Sequence, residues 1–385
     1  MRAITKYLST RDEARAIASS VDAHEHVVVV PAYGEGALDA LFGALPASAL
    51  LILVVNAPPD APPDALERNR ETLAWAEARP RVVALHRTLP KKHGVGGARA
   101  LGADVALAMH AEGKLGVPMI FMTDGDAVPP ADYVERVDPD AAACVYPFVH
   151  APLHPAITAY EIALRYYVAG LRWAGSPYAF HTIGSCMAVH VEAYASVRGV
   201  PLRNAAEDFY LLNKVRKVGR VVTLGGDPIV LSSRGSDRVP FGTGRAVLDW
   251  DGDARLYDPR CFDVVRRARE ALLADAVDGW LAWGHEQFGR DFEDAVAPLE
   301  LAVASKRASA ETRSDEARTK HVDGFFDAFA QRKLVHRIRD ACLPSPSIHD
   351  ALRDAPFVDV PSDPIEALHA LRRAEISESR SRSTL

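Results

Sequence analysis

The sequence predicts an α/β protein, with a mixed, mostly parallel sheet, flanking helices and a C-terminal helical region. Apolar, β-branched runs at residues 26–30 and 50–55 have the length of strands buried on both faces. Between them Leu38, Leu41, Phe42 and Leu45 recur at helical spacing, which makes the strand–helix–strand unit of a parallel sheet. From Asp263 onward helical periodicity replaces the strand pattern.

The elements follow in order. Residues 1–25 form an N-terminal helical segment, and the first strand stops at Pro31. A proline-rich turn at 58–63 leads to a helix around 66–78 and a strand around 81–85. A glycine-rich turn at 94–97 opens a helix over 98–112, and the strand 118–122 delivers Thr123, Asp124, Gly125 and Asp126. This domain is expected to span 26–258, in halves 26–140 and 141–258, the second with helices at 157–169 and 208–217. The helical region, 259–374, carries helices at 264–273, 276–288, 292–304 and 322–341, with a charged, flexible stretch between the last two. Residues 375–385, rich in Ser and Arg, have too little apolar content to fold alone and are expected to be a disordered tail.

At 385 residues, 48% hydrophobic and 25% charged, the chain is long enough for one large domain and an appendage. A net charge of −6 with no long basic run argues against a nucleic-acid partner. No stretch of about 18 apolar residues and no signal-like N-terminus is present, so no membrane span and a cytoplasmic location are expected. Cys144, Cys186, Cys261 and Cys342 lack zinc-site spacing and read as structural thiols.

The sharpest local signal is Asp124-Gly125-Asp126 at a strand end, because ligands gather beyond the carboxyl ends of strands in open α/β sheets. Two carboxylates suffice for Mg²⁺ or Mn²⁺ where phosphate oxygens and water complete the octahedron. Taken alone, the same tripeptide is equally a solvated turn. Glu207-Asp208 opens a helix, where a carboxylate serves as a general base or simply as a cap. Pro31, Tyr33 and Glu35 close the first strand, Tyr33 offering a ring for a base and Glu35 an acceptor. Asn56 closes the second strand and offers hydrogen bonds to a base or ribose, or forms an ordinary turn.

Lys91, Lys92, His93, Gly94, Gly96, Gly97 and Arg99 put cations and backbone amides ahead of a helix, a recipe for holding an anion. They are not a dinucleotide fingerprint, since Arg99 stands where the third Gly belongs. The loop 232–244, with Arg234 and Arg238, suits a lid over phosphates or a plain surface loop. His150, His154 and His181 lie near Gly184 and Ser185; any of the three is a candidate third metal ligand, and His181, Gly184 and Ser185 are candidate acceptor contacts, while each histidine taken singly reads first as a packed or surface residue. Asp249, Asp251 and Asp253 form a turn rather than a calcium loop, because Gly252 precedes the third Asp and no Glu follows at the twelfth position.

Taken in order, residues 31–35, the segment 94–102, Asp124-Gly125-Asp126 and Glu207-Asp208 resemble the successive motifs of family 2 glycosyltransferases with the GT-A fold, over roughly 26–225. The resemblance implies a nucleotide-sugar half and an acceptor half. Asp124 and Asp126 would bind a metal and, with Gly125, the donor diphosphate. Tyr33 and Glu35 would line the nucleotide site, and Asp208 would be the base with Glu207 beside it. Two departures leave the nucleotide open between UDP and GDP: Gly34 stands for the usual Asn, and Asn56 for the usual Asp. The Q-x-x-R-W motif of processive members is absent, since Ala169 precedes Arg172-Trp173 where Gln belongs. The resemblance therefore implies a metal-dependent, non-processive transfer of one sugar to a hydroxyl acceptor, inverting if Asp208 is the base. The alternatives are a nucleotidyltransferase, whose Gly-rich, basic signature after the first strand is missing, and a non-catalytic scaffold. The C-terminal helices would be the surface for any self-association.

Overall fold

A computed structural model describes residues 2–238 and 242–382. It divides into two compact units, Met1–Leu153 with Thr182–Leu248 and Ile376–Leu385, and His154–His181 with Asp249–Glu375. The division falls differently from a single boundary at 258, because the chain leaves the sheet unit to make the helix Pro155–Trp173 and then returns to it.

Among the described residues the first unit holds nine strands: β1 His26–Ala32, β2 Ala49–Ala57, β3 Val82–Thr88, β4 Met119–Met122, β5 Ala143–Val145, β6 Phe148–Ala151, β7 Met187–His190, β8 Val221–Thr223 and β9 Ile229–Ser232. Seven form one sheet in the order β3-β2-β1-β4-β7-β5-β8, and β6 pairs with β9. The first four run parallel, and β7 is antiparallel to both β4 and β5. The expected mixed, mostly parallel sheet is therefore present. Every residue of β1 and β2 is buried, which is why these strands read as continuous apolar runs.

The order places β2 and β3 on one side of β1 and β4 on the other, so the chain reverses direction across the sheet between β1 and β4. Such a switch point opens a crevice at the strands' carboxyl ends. Pro31 stands just past the end of the β1–β4 ladder. Contrary to expectation it does not end β1, which keeps pairing with β2 through Pro31↔Val54 and Ala32↔Val55. Pairing with β4 stops at Val29↔Met122, and the Val29 carbonyl accepts the Thr123 N–H at 3.2 Å. Pro31, two residues on, faces the same side and has no N–H with which to extend that ladder.

Two helices, Arg2–Leu8 and Asp12–Ser19, occupy the N-terminal segment, as expected. The residues 94–97 are not a turn: the helix runs Gly94–Ala111. The glycines serve packing, since a Cβ at Gly96 would lie 2.5 Å from the Arg203 carbonyl oxygen and 2.6 Å from that of Pro201.

The second unit is helical around a core that includes Val264, Val265, Phe292, Val322, Leu334 and Ile338. The stretch expected to be flexible forms the helices Leu301–Glu311 and Asp315–Phe325, the second capped by the Ser314 hydroxyl on the Ala317 N–H. The expected disordered tail is also different, since the last helix spans Pro364–Arg382. The centre of the expected lid, 239–241, and the tail residues 383–385 lie outside the described residues.

Candidate functional site

The residues singled out along the sequence converge on the carboxyl ends of β1 and β4. After β1, Gly34 takes φ +64°, a left-handed conformation that glycine adopts at little cost. The loop is then fixed from the helix Pro63–Glu77. The buried Asn69 accepts the Gly34 N–H at 2.8 Å and donates to the Asn56 carbonyl at 3.0 Å. The Thr72 hydroxyl sits 3.0 Å from the Gly36 N–H and 2.9 Å from its carbonyl. Sequence reasoning missed both side chains, which look like ordinary polar positions on a helix. Asn56 spends its side-chain amide on the Ala32 carbonyl at 3.1 Å, bracing β2 against the end of β1.

Glu35 meets the loop that follows β9. Arg234 reaches both Glu35 oxygens, at 3.0 and 2.8 Å, and pairs with Asp126 at 3.0 Å. Arg238 pairs with Glu35, donates to the Gly34 carbonyl at 3.0 Å, and has its Cζ 5.9 Å from the centre of the Tyr33 ring. Gly125 closes the other side: a Cβ there would lie 3.3 Å from the Glu35 Cγ. Residues 199 to 203 positions apart thus share one charge cluster.

On the other side of Gly125, Arg99 is 1% exposed. Its Nη2 donates to Asp124 at 2.5 Å and its Nη1 to Glu207 at 2.9 Å. Burial works against its charge, but Asp124, Glu207 and Asp208 outweigh burial and keep the guanidinium protonated. Ala206 precedes this pair at φ +58°, a strained conformation for a residue with a Cβ. Asp208 accepts the Phe209 N–H at 2.7 Å, so it caps an amide while Glu207 is committed to Arg99. Gly184 packs on Arg99, and Ser185 is buried beside it.

The remaining candidates lie elsewhere. Lys92 is exposed. The Gly94, Gly96 and Gly97 N–H groups donate to the carbonyls of Pro90, Arg203 and His93, so these amides are occupied within the protein rather than presented to an anion. His181 and His154 belong to the helical unit. The His181 Nε2 is 2.7 Å from Glu375, and burial, reinforced by Arg165 and Arg172, pulls its ring well below the usual imidazole range. His150 lies 3.2 Å from the Thr243 hydroxyl.

The cluster carries five carboxylates, Glu35, Asp124, Asp126, Glu207 and Asp208, against the guanidinium groups of Arg99, Arg234 and Arg238. The imbalance shows in their titration. Burial raises the Asp124 carboxyl, Arg99 opposing and Glu207 and Glu35 adding. Burial and the Asp124 charge push Asp126 up to about 6. Since 40% of the Asp124 side chain and 34% of that of Asp126 stay open, crowding and like charge act here without full enclosure. Glu207 is raised by burial and by Asp208, Arg99 opposing. Asp208 is raised by burial, with Arg99 and the backbone of Phe209 and Gly184 opposing.

Among the described residues no group of three or more His, Cys, Asp or Glu side chains is arranged to hold a metal ion. Asp124 and Asp126 are two hard oxygen donors of the kind that a divalent cation takes when phosphate and water supply its other ligands, and a cation would offset the negative excess, although in this structure Asp124 pairs with Arg99 and Asp126 with Arg234. Comparison of the chain with protein-family models and with curated proteins finds no match. No helix among the described residues is long and apolar enough to cross a membrane.

Proposed function

We propose that the chain is a glycosyltransferase of the GT-A type that moves one sugar from a UDP- or GDP-linked donor to a hydroxyl acceptor without processivity. The observation that carries this reading is the convergence of Glu35, Asp124, Asp126, Glu207 and Asp208 on the switch point between β1 and β4, where an α/β sheet offers its ligand crevice. The substitution at Gly34 fits, because its φ of +64° lies in the region that Asn and Gly share.

In this reading Tyr33 and the loop 33–36, braced by Asn69 and Thr72, hold the nucleoside. Arg234 and Arg238, which answer Glu35 and Asp126, exchange part of that pairing for donor phosphate oxygens. A divalent cation, Mn²⁺ or Mg²⁺, held by Asp124 and Asp126 would supply positive charge for the leaving diphosphate. Asp208 accepts the acceptor hydroxyl's proton. Its raised affinity for a proton brings it nearer to the working pH of a general base. Glu207, bound to Arg99, orients rather than reacts.

Mn²⁺ is expected to strengthen UDP or GDP binding by the whole chain, measured calorimetrically, and Asp126→Ala to abolish that dependence. Unchanged metal-dependent binding in the variant would remove Asp126 from the site.

The acid side gives a second check. Asp126 titrates at about 6, above its ordinary 3.8. Protons compete with the cation below that value, so Mn²⁺ affinity is expected to drop by up to about tenfold per pH unit there and to level off above it. The linkage to folding has the opposite slope. Between 3.8 and about 6 the folded chain keeps a proton that the unfolded chain releases, so without a cation this group's contribution to stability falls as pH rises. An Mn²⁺ affinity that stays level from pH 7 to pH 5 would contradict the assignment.

A further inference from the structure

We propose that Arg99 is a positioning residue, a buried strut that ties Asp124 to Glu207 and so links occupancy of the Asp124–Asp126 pair to the placement of Asp208. The inference rests on the reading of the site given above. A guanidinium 1% exposed is not presented to a ligand. Its fork is divided, with Nη2 on Asp124 at 2.5 Å, Nη1 on Glu207 at 2.9 Å, and Nε buried without a hydrogen-bond partner. Each carboxylate holds one nitrogen of a rigid plane, so displacing one end turns the other.

The surroundings keep that plane in place. A Cβ at Gly184 would lie 1.9 Å from Nη1 and 2.8 Å from Cζ, so any larger residue there drives the guanidinium from its seat. Asp208 follows Glu207 directly in the chain, so the small residue that seats the guanidinium also governs the approach of the strut to the base's neighbour. Three residues before Arg99, the Gly96 N–H donates to the Arg203 carbonyl at 3.0 Å, so the same helix grips the segment that leads into Glu207.

A cation held at Asp124 would compete with Arg99 for that carboxylate and would leave the guanidinium to Glu207. Glu207 and Asp208 are the first two residues of the helix Glu207–Val215, so a tighter pair at Glu207 is felt at its neighbour. Linkage makes the effect reciprocal.

Hydrogen exchange on the whole chain, with Mn²⁺ alone as the probe, tests the coupling. Saturating Mn²⁺ is expected to slow amide exchange over residues 204–211 about fivefold or more in the wild type. In Arg99→Lys, Mn²⁺ still binds but the slowing falls to about twofold or less, because an ammonium cannot span two carboxylates as a planar fork does. Gly184→Ala keeps every charge and displaces the guanidinium. It is expected to lose the effect in the same way, and it serves if a buried lysine at 99 prevents folding. Mn²⁺ binding is followed by electron paramagnetic resonance in all three proteins. Equal slowing in both variants, or Mn²⁺ binding to the wild type with no change over 204–211, overturns the proposal. A wild type that takes up no Mn²⁺ overturns the reading of the site as well, and the resonance signal separates that failure from a failure of coupling.

Discussion

Asp208→Asn is expected to lower turnover of the cognate nucleotide-sugar by about 10²–10⁴-fold while leaving nucleoside diphosphate binding within about threefold. The amide keeps the size of the carboxylate, and its oxygen can still accept the Phe209 N–H that Asp208 accepts at 2.7 Å. What it loses is basicity. Arg99 keeps its ion pairs with Asp124 and Glu207, so neutralising position 208 leaves the buried guanidinium with both partners. A panel of nucleotide-sugars, with water as the surrogate acceptor, identifies the donor and gives the rate. Wild-type turnover in the Asn variant would move the base elsewhere or point to retention of configuration.

Glu161→Gln, in the helical unit, is expected to cost about 3–5 kcal/mol of stability, with a fall of roughly ten degrees in melting temperature. Glu161 is fully buried and accepts from Arg165 at 3.1 and 2.7 Å and from Arg372 at 2.7 and 2.8 Å. Arg165 also pairs with Glu375, which in turn holds His181. Removing the central negative charge leaves two guanidinium groups crowded on a neutral amide, away from water. Glu293→Gln is the control. Its partner His285 and Glu293 itself are more than half exposed, and the change is expected to stay within about 0.5 kcal/mol. Equal melting of the Glu161 variant and the wild type would mean that this network is worth no more than a surface pair.

The parts of the fold legible in the sequence were those written in short-range pattern. The valines at 27–30 and the apolar run at 50–55 declare strands covered on both faces, and both strands are buried throughout. The convergence of the candidate residues was legible where a motif sat at a strand end, because a parallel sheet brings such ends together whatever the loop lengths. Other features depend on packing. Glycines at 94–97 favour a turn by propensity, yet the close approach of the 201–203 backbone turns them into the start of a helix. The charged stretch after 304 has little apolar content, but Val322 and Phe326 bury against the helical core and carry it into helices.

Partnerships across the chain left no trace in spacing. Arg99 looked like an anion contact because its partner Glu207 lies 108 residues away, and the His181 partner Glu375 lies 194 residues away. Asn69 and Thr72 carry no signal at all, since a polar residue on an amphipathic helix is expected to face water. Sequence neighbours place the helix Pro155–Trp173 with the sheet unit, and only its packing with Phe262, Ala351 and Leu368 reveals the other allegiance.

The brace from Asn69 and Thr72 also bears on the thermodynamics of ligand capture. Both backbone amides of the turn, Gly34 and Gly36, are already saturated by side chains of a neighbouring helix. If, as proposed, a nucleoside binds at Tyr33, it would meet a wall that is already set, and association would carry little penalty for freezing that turn. Selectivity among bases would then come from shape and hydrogen-bond match, with little scope for the turn to remould itself around a differently sized base.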